Sequence, residues 1–410
     1  MAIASNHPAP ALHTALTPLH QGQVPPRPPR NSAQAHPGVH PLSAFTQGSQ
    51  KFQPLPDPLA PPPFHYDLET ALPGITAQAA TAGKLVFHTV GDTGGIKSPD
   101  YQAHVAAAMK GDLNLPVGAA PSFFYHLGDV VYYNGQVADY YSQFYEPYNH
   151  YSAPIFSIPG NHDGDPIDAT QRSLDGWVGY FMAPAARINP ESHDAPRATM
   201  SQPNVYFTLS CPFVTIVGMY TNVPEHGSID SVQQQWLTNE FATAPKDKAL
   251  ILALHHPVYS FDDHHAGSPR MADAVQHAMN DSRRLPNLVL TGHVHNYQRI
   301  ERMAVPKAKS TMVPFIVSGH GGYYHLHGLN IDVVKNGAIK LPVVDPGTEA
   351  ELVAANKTNH GYLTITVDSS KISGVMSAVE ETKYPANAKA DVFSYSAKAL
   401  TLPDGAVVSL

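Results

Sequence analysis

Five short motifs carry residues that could bind metal or phosphate: Gly91-Asp92-Thr93-Gly94, Gly128-Asp129-Val130-Val131-Tyr132, Gly160-Asn161-His162-Asp163, His255-His256-Pro257 and Gly292-His293-Val294-His295. Together they offer two carboxylates, a phenol, an amide and several imidazoles. That set suits two hard or borderline metal ions, with positions left over for water and substrate. Each motif is weak alone, since Gly-Asp is common in turns and a tyrosine is more often packing than a ligand. Their joint occurrence, each just after an apolar run, carries the reading.

Those runs must be the elements that position the motifs. Lys84–Val90, Ser122–Leu127 and Pro154–Ile158 read as strands, separated by helical stretches near Pro99–Lys110 and Gln136–Tyr145. Strand, helix, strand, helix, strand implies parallel βαβ units, whose chemistry gathers at the carboxyl ends of the strands. A loop-rich insertion (165–200) is followed by β-rich runs Val205–Ser210 and Phe213–Tyr220. A helix follows at Ser231–Phe241, with Asp230 and Gln233 as a capping pair. Leu250–Leu254, Asn287–Thr291, Pro314–Ser318 and Tyr362–Val367 complete a second set of strands. The expected fold is α/β: a four-layer αββα sandwich of two mixed sheets flanked by helices.

Residues 1–80 hold 16 of the 39 prolines and read as a largely extended arm, with Phe45, Phe52, Leu55 and Phe64 able to pin its later part to the domain. Residues 81–385 form the expected catalytic domain and 386–410 a C-terminal tail packing on it. Met1–His20 lacks Lys and Arg and is broken by prolines, so it does not read as a secretory leader. No run of 18 apolar residues suggests a membrane span.

Composition excludes several classes. One cysteine, Cys211, rules out disulfides and cysteine-rich metal sites, and it reads as a small core residue. A net charge of −8 disfavours general nucleic-acid binding. No Arg-His-Gly, Gly-x-Ser-x-Gly or Walker A motif is present, and Val217 stands where a cysteine-nucleophile phosphatase needs arginine. Histidine is abundant: protonating all 24 would carry the charge from −8 to +16, near and below pH 6.5.

The five motifs resemble those of the calcineurin-like metallophosphoesterases and, more narrowly, the purple acid phosphatases. Most members of the wider superfamily carry Asp-x-His in the first motif; here Asp92 is followed by Thr93 and Gly94. The second motif supplies Tyr132 at the spacing of the narrower family's ferric ligand. His264-His265, nine and ten residues after His255, resemble that family's substrate-binding histidines.

The resemblance implies Fe³⁺ held by Asp92, Asp129, Tyr132 and His295, and a divalent Fe, Zn or Mn held by Asp129, Asn161, His255 and His293, with Asp129 bridging. It implies hydrolysis of small-molecule phosphomonoesters by in-line attack of a metal-bound hydroxide, an acid phosphatase activity in which His162, His264 and His265 bind phosphate and serve catalysis. Export to the periplasm or outside the cell follows from the resemblance; no leader is visible, whether removed or never there, and a cytoplasmic protein stays open. Two alternatives stand: a phosphodiesterase acting on cyclic nucleotides or phospholipid head groups, and a non-catalytic metal-binding scaffold that works through its proline arm. His126 reads as core, His256 as support for a ligand or packing beside His255, Asp163 as a loop-orienting residue, and Asp262 and Asp263 as solvated loop, with tuning of the histidine pair as the alternative. The segment 319–345, opening Gly319-His320-Gly321-Gly322, reads as a substrate entrance that passes into a surface loop.

Overall fold

The computed structural model describes residues 51–330, 334–335, 338–379 and 387–410. Its centre is a pair of mixed sheets. Strands Leu85–Val90, Phe124–His126 and Ile155–Ser157 run parallel at one side of a six-stranded sheet, continued antiparallel by Gly361–Val367, Lys371–Val379 and Asn387–Ser396. In the nine-stranded sheet, Val214–Gly218, Ala249–Leu254, Leu288–Thr291 and Met312–Ser318 form a parallel core. Leu85–Val90 and Ala249–Leu254 are buried along their whole lengths, as continuous apolar runs covered on both faces must be.

The two sheets pack through their inner faces. Tyr125 meets Phe207 with ring centroids 6.4 Å apart, Tyr66 meets Phe156 at 5.6 Å, and Arg299 of one sheet donates to Asp391 of the other at 2.7 Å. Helix Asp100–Asp112 follows the first strand. Helix Ser231–Thr243 starts where expected, with Asp230 accepting from the backbone of Gln233 at 2.8 Å. The sandwich expected from the sequence is therefore present.

Several elements differ from the sequence-based expectation. Residues 1–50 lie outside the described residues. Residues 51–64 have no regular structure but are tied down: the Gln53 amide donates to Asn222 at 2.7 Å and the Trp236 indole to the Pro63 carbonyl at 2.7 Å. Of the expected anchors, Phe64 is buried, Leu55 half-buried against the core and Phe52 exposed. Residues 65–80, expected to be extended, belong instead to a strand paired with Phe207–Ser210 and to two helices, Leu68–Ala71 and Ile75–Ala82. Leu68, Ile75 and Ala79 are buried there, apolar surface that an extended arm would expose. At the other end, Asn387–Ser396 is an edge strand of the six-stranded sheet, so residues 387–396 are an integral part of the fold. Helix Pro269–Ser282 is absent from the sequence reading, as are strands Tyr297–Met303, Glu351–Asn356 and Lys371–Val379. The helix expected over Gln136–Tyr145 is a 3₁₀ turn, Val137–Asp139, followed by a single π-type turn, Tyr141–Tyr145.

Candidate metal centre

The carboxyl ends of five parallel strands, three from one sheet and two from the other, meet at one edge. Backbone bonds stitch them together: Asp92 N donates to Gly128 O at 2.9 Å, Gly292 N to His255 O at 3.1 Å and Gly91 N to Ser318 O at 2.8 Å. Asp92, Asp129 and His293 all take left-handed backbone (φ 56°, 54° and 68°). That conformation is costly for residues with a Cβ and is typical of functional sites.

One group of donors comprises Asp92, Tyr132 and His295. The Tyr132 hydroxyl lies 3.1 Å from Asp92 Oδ1 and 3.3 Å from His295 Nε2, and His295 Nε2 lies 3.5 Å from the same Asp92 oxygen. A second comprises Asp129, Asn161, His255 and His293. Asn161 Oδ1 is 3.0 Å from both His255 Nε2 and His293 Nδ1, and His255 Nε2 is 3.4 Å from Asp129 Oδ2. Asp92, Asp129 and His255 offer ligand atoms all within 4.8 Å of one another, which joins the two groups. Every metal ligand expected from the sequence is thus in this cluster.

The donor set fits cations. His255 Nδ1 faces the Leu127 carbonyl at 2.8 Å; that oxygen only accepts, so Nδ1 carries the proton and Nε2 turns inward with Asn161 Oδ1 and two carboxylates. Positive charge has to sit among these atoms. Burial alone would pull the His255 imidazole down, but Asp129 and Asp92 outweigh it and lift it to about 9. Burial and the neighbouring Asp129 charge push Asp92 upward; burial would raise Asp129 too, but His255 and the imidazoles around it together outweigh that and hold it low. Burial, then Asp92, raises the Tyr132 phenol. His295 Nδ1 is buried and has no hydrogen-bond partner among the described residues.

Support comes from Asp163, which accepts from the backbone of Gly160 at 2.8 Å and of Val130 at 3.0 Å, and so pins the second and third loops as expected. His126 is core, bonded to Thr93 Oγ1 at 2.8 Å and pushed by burial down to about 3. His256 packs 4.3 Å from His293 and bonds Thr221 Oγ1 at 2.7 Å; Cys211 is buried.

Above the donors opens a cavity of about 440 Å³, lined by His162, His264, His265, His325, His327, Tyr133, Tyr323 and Tyr324 among others. The three histidines expected at the phosphate all line it. His162 Nδ1 faces the Tyr133 carbonyl at 2.9 Å, and His264 stacks on His327 at 4.4 Å. The start of the 319–345 segment does form the entrance: Tyr323 N donates to Asp92 O at 2.9 Å, and its ring sits 4.2 Å from His295. His327 is buried, whereas His325, Lys340, Pro342 and Val344 are exposed, as a segment passing into a surface loop should be; the side chains of 331–339 lie outside the described residues.

Asp262 is a further correction. It is buried rather than solvated, and accepts from the backbone of His264 and His265 at 2.8 Å each, from Asn296 Nδ2 at 2.9 Å and at His327 Nδ1, 3.2 Å away. It therefore sets the histidine pair. Glu225, which no motif marks, reaches the same wall of the cavity, with Oε1 3.2 Å from His265 Nδ1.

A family model described as calcineurin-like phosphoesterase matches residues 86–297, more than half of the chain. The chain belongs to that family. Within the family its curated relatives include probable purple acid phosphatase 20 of Arabidopsis thaliana, 29% identical over 172 residues (40% of this chain, 36% of the relative). Purple acid phosphatase 21 of the same plant is 28% identical over 175 residues (41% and 36%). The match thus spans little more than a third of these relatives' length. Among solved structures, a purple acid phosphatase from yellow lupin (Lupinus luteus) seeds superposes with a TM-score of 0.52 at 16% identity, over 76% of this chain and 54% of that one. GAP50, the anchor in the inner membrane complex of Plasmodium, superposes with a TM-score of 0.52 at 14% identity, over 77% and 89%. These two likenesses concern the calcineurin-like phosphoesterase fold alone. Among the described residues, no helix is long and apolar enough to cross a membrane.

Proposed function

We propose that this chain is a phosphomonoesterase of the purple acid phosphatase type. The observation that carries the proposal is the completeness of the donor set: a phenol, two carboxylates, an amide and three imidazoles converge beneath a cavity lined by histidines. In this reading Asp92, Tyr132 and His295 hold ferric iron, Asn161, His255 and His293 hold a divalent ion, and Asp129 serves both. Hard phenolate and carboxylate oxygen suit Fe³⁺, while imidazole with an amide oxygen suits divalent Fe, Zn or Mn. When bound, the two ions supply an acidic water and positive charge against the phosphate oxygens.

The chain's own residues do the rest. His162, steadied through Nδ1 by the Tyr133 carbonyl, turns Nε2 to a phosphate oxygen. His265, tied through Nδ1 to Glu225, presents Nε2 to the leaving oxygen and gives it a proton. His264 stands at the mouth against Asp263, 2.6 Å away, and binds a further phosphate oxygen. The ring faces of Tyr133 and Tyr323 help to exclude water from the reacting phosphate. Because the imidazoles work in their protonated form, activity should peak on the acidic side.

The test is the initial rate on a chromogenic phosphomonoester and on the matching diester between pH 4 and 9. A monoester preference with an acidic optimum is the expected result. A diester preference near neutrality would keep the donors and overturn the substrate class. No hydrolysis of either by metal-loaded protein would favour a non-catalytic scaffold.

A further inference from the structure

Among the described residues, no aliphatic side chain and no Lys or Arg lines the cavity above the donors. Apart from Asp129, Asn161 and Glu225, its walls are the rings of histidines and tyrosines. Two ladders of rings climb from one imidazole of the donor cluster. In the first, Tyr323 lies 4.2 Å from His295 and Tyr324 lies 4.8 Å from Tyr323. In the second, His327 lies 4.5 Å from His295 and His264 lies 4.4 Å from His327. Tyr133 borders the first ladder and His162, with ring centroids 6.4 Å from Tyr323 and 5.9 Å from His162. Tyr324 is half-buried, so part of its ring stays open to the cavity it lines. Its hydroxyl accepts from Lys97 Nζ at 2.9 Å, which ties it to the loop between strand Leu85–Val90 and helix Asp100–Asp112.

We infer that the substrates are phosphomonoesters whose alcohol carries a flat aromatic ring, and that this ring stacks on Tyr324. The inference rests on the phosphomonoesterase reading and deepens it by naming the class of alcohol. A volume of about 440 Å³ lies in the range of cavities that enclose a whole small ligand, so the alcohol sits inside with its phosphate. Apolar surface on that alcohol then meets π faces and edges, which attract another ring beyond the area they bury. Tyr324 stands two rings out from the donors, where the alcohol lies, whereas Tyr133 borders the phosphate-facing His162. With no Lys or Arg in the lining, negative charge is taken up only at the donors and the histidines, which suits a single phosphate. Removing the aromatic partner of a stacked base typically weakens binding about 5- to 140-fold.

The experiment uses full-length, metal-loaded protein and two pairs of esters. Adenosine monophosphate and ribose 5-phosphate release a primary alkoxide of the same kind and differ in the base, so their kcat/KM ratio isolates what the ring contributes. Benzyl phosphate against cyclohexylmethyl phosphate makes the same comparison without base or sugar. The aromatic member should be preferred at least about fivefold, through KM. A preference in both pairs makes any flat ring sufficient; one confined to the first pair makes nucleoside monophosphates the substrates. Tyr324→Leu, which keeps bulk and removes the π face, should bring the preference to within about twofold. Equal kcat/KM within each pair would overturn the inference, and so would a full preference retained by Tyr324→Leu. Should that variant not fold, Lys97→Met, at an exposed position, releases the Tyr324 ring instead and should lower the preference; an unchanged one would remove Tyr324 from the role. If neither pair is hydrolysed, the phosphatase reading fails. Calorimetric affinities for the same pairs then decide this inference alone, the same preference upholding it and equal affinities overturning it.

Discussion

Tyr132 Oη touches Asp92 and His295, while its ring is held by Tyr323 at 4.5 Å and His162 at 4.7 Å. Tyr132→Phe therefore deletes a donor and preserves the packing. Iron-loaded wild type should be pink to violet through phenolate-to-iron charge transfer; Tyr132→Phe should be colourless, fold normally and lose at least about 10-fold in kcat. Absorption spectra and metal analysis check this, and a colourless, iron-free wild type with full activity would remove Tyr132 from the centre. At this scale the convergence of the seven residues proposed as metal ligands was legible because each of the five motifs comes just after an apolar run, so chain direction brings it to the sheet edge; their roles as ligands were read from the family resemblance. Glu225 was not legible: its partner His265 is 40 residues away, and an acidic residue in a loop carries no mark of what the fold will set beside it. Asp262 was legible in part, since it stands just before the histidine pair whose backbone it holds, whereas its burial and its contact with His327, 65 residues on, were not.

At the scale of elements, the turn after a strand decides whether its ligand arrives. Gly128 has φ 94°, and a Cβ there would stand 2.6 Å from both Gly160 N and His255 Nδ1. Gly128→Ala should cost about 1–3 kcal/mol from left-handed strain and crowding together. Because the crowded atoms belong to the loops of Asp129, Asn161 and His255, metal stoichiometry should fall with the thermal midpoint. A variant that is destabilised yet binds two metals would separate turn geometry from ligand placement. The elements missed from the sequence share a different cause. In Tyr297–Met303, Gln298 and Arg302 occupy buried positions that hydropathy assigns to apolar residues. They are satisfied by specific bonds: Gln298 accepts from Phe261 N at 2.8 Å, and Arg302 donates to the carbonyls of Met303 and Ser409. Helix Pro269–Ser282 does carry a signal, a Ser268 cap before proline and buried Met271, Ala274, Val275, Ala278 and Met279 at helical spacing.

For the whole molecule, the histidine count overstates how far charge can swing while the chain stays folded. His320 and His360 are held neutral by burial, pushed down to about 3 and about 4, and burial lowers His88 although Asp112 lies 3.2 Å away. Both ring nitrogens of His320 are without a partner among the described residues; His360 stacks on Tyr101 and faces the Tyr323 carbonyl. Their folded values lie below the unfolded value of about 6.5, so the unfolded chain binds protons first as pH falls. The stability they contribute is complete above about 6.5, and it drains away by roughly 1 kcal/mol per pH unit for each group down to about 4 for His360 and about 3 for His320. His65, raised by its bond to Glu240, acts with the opposite sign, but it is half exposed and screened. These core imidazoles alone should therefore lower the thermal midpoint as pH falls from about 6.5 towards 4, against an opposite contribution from Asp163, which burial raises to about 7. An unchanged pH slope of the midpoint in His360→Gln would mean that this imidazole is not neutral in the fold. Activity and stability then pull against each other, because the proposed chemistry needs protonated histidines in the cavity while the fold needs unprotonated ones in the core. The same residue type serves both ends because burial, rather than sequence, decides which imidazoles can accept a proton. Inactivation half-lives should consequently be shortest at the acidic end of the active range, and His360→Gln, which removes one core imidazole, should flatten the slope there.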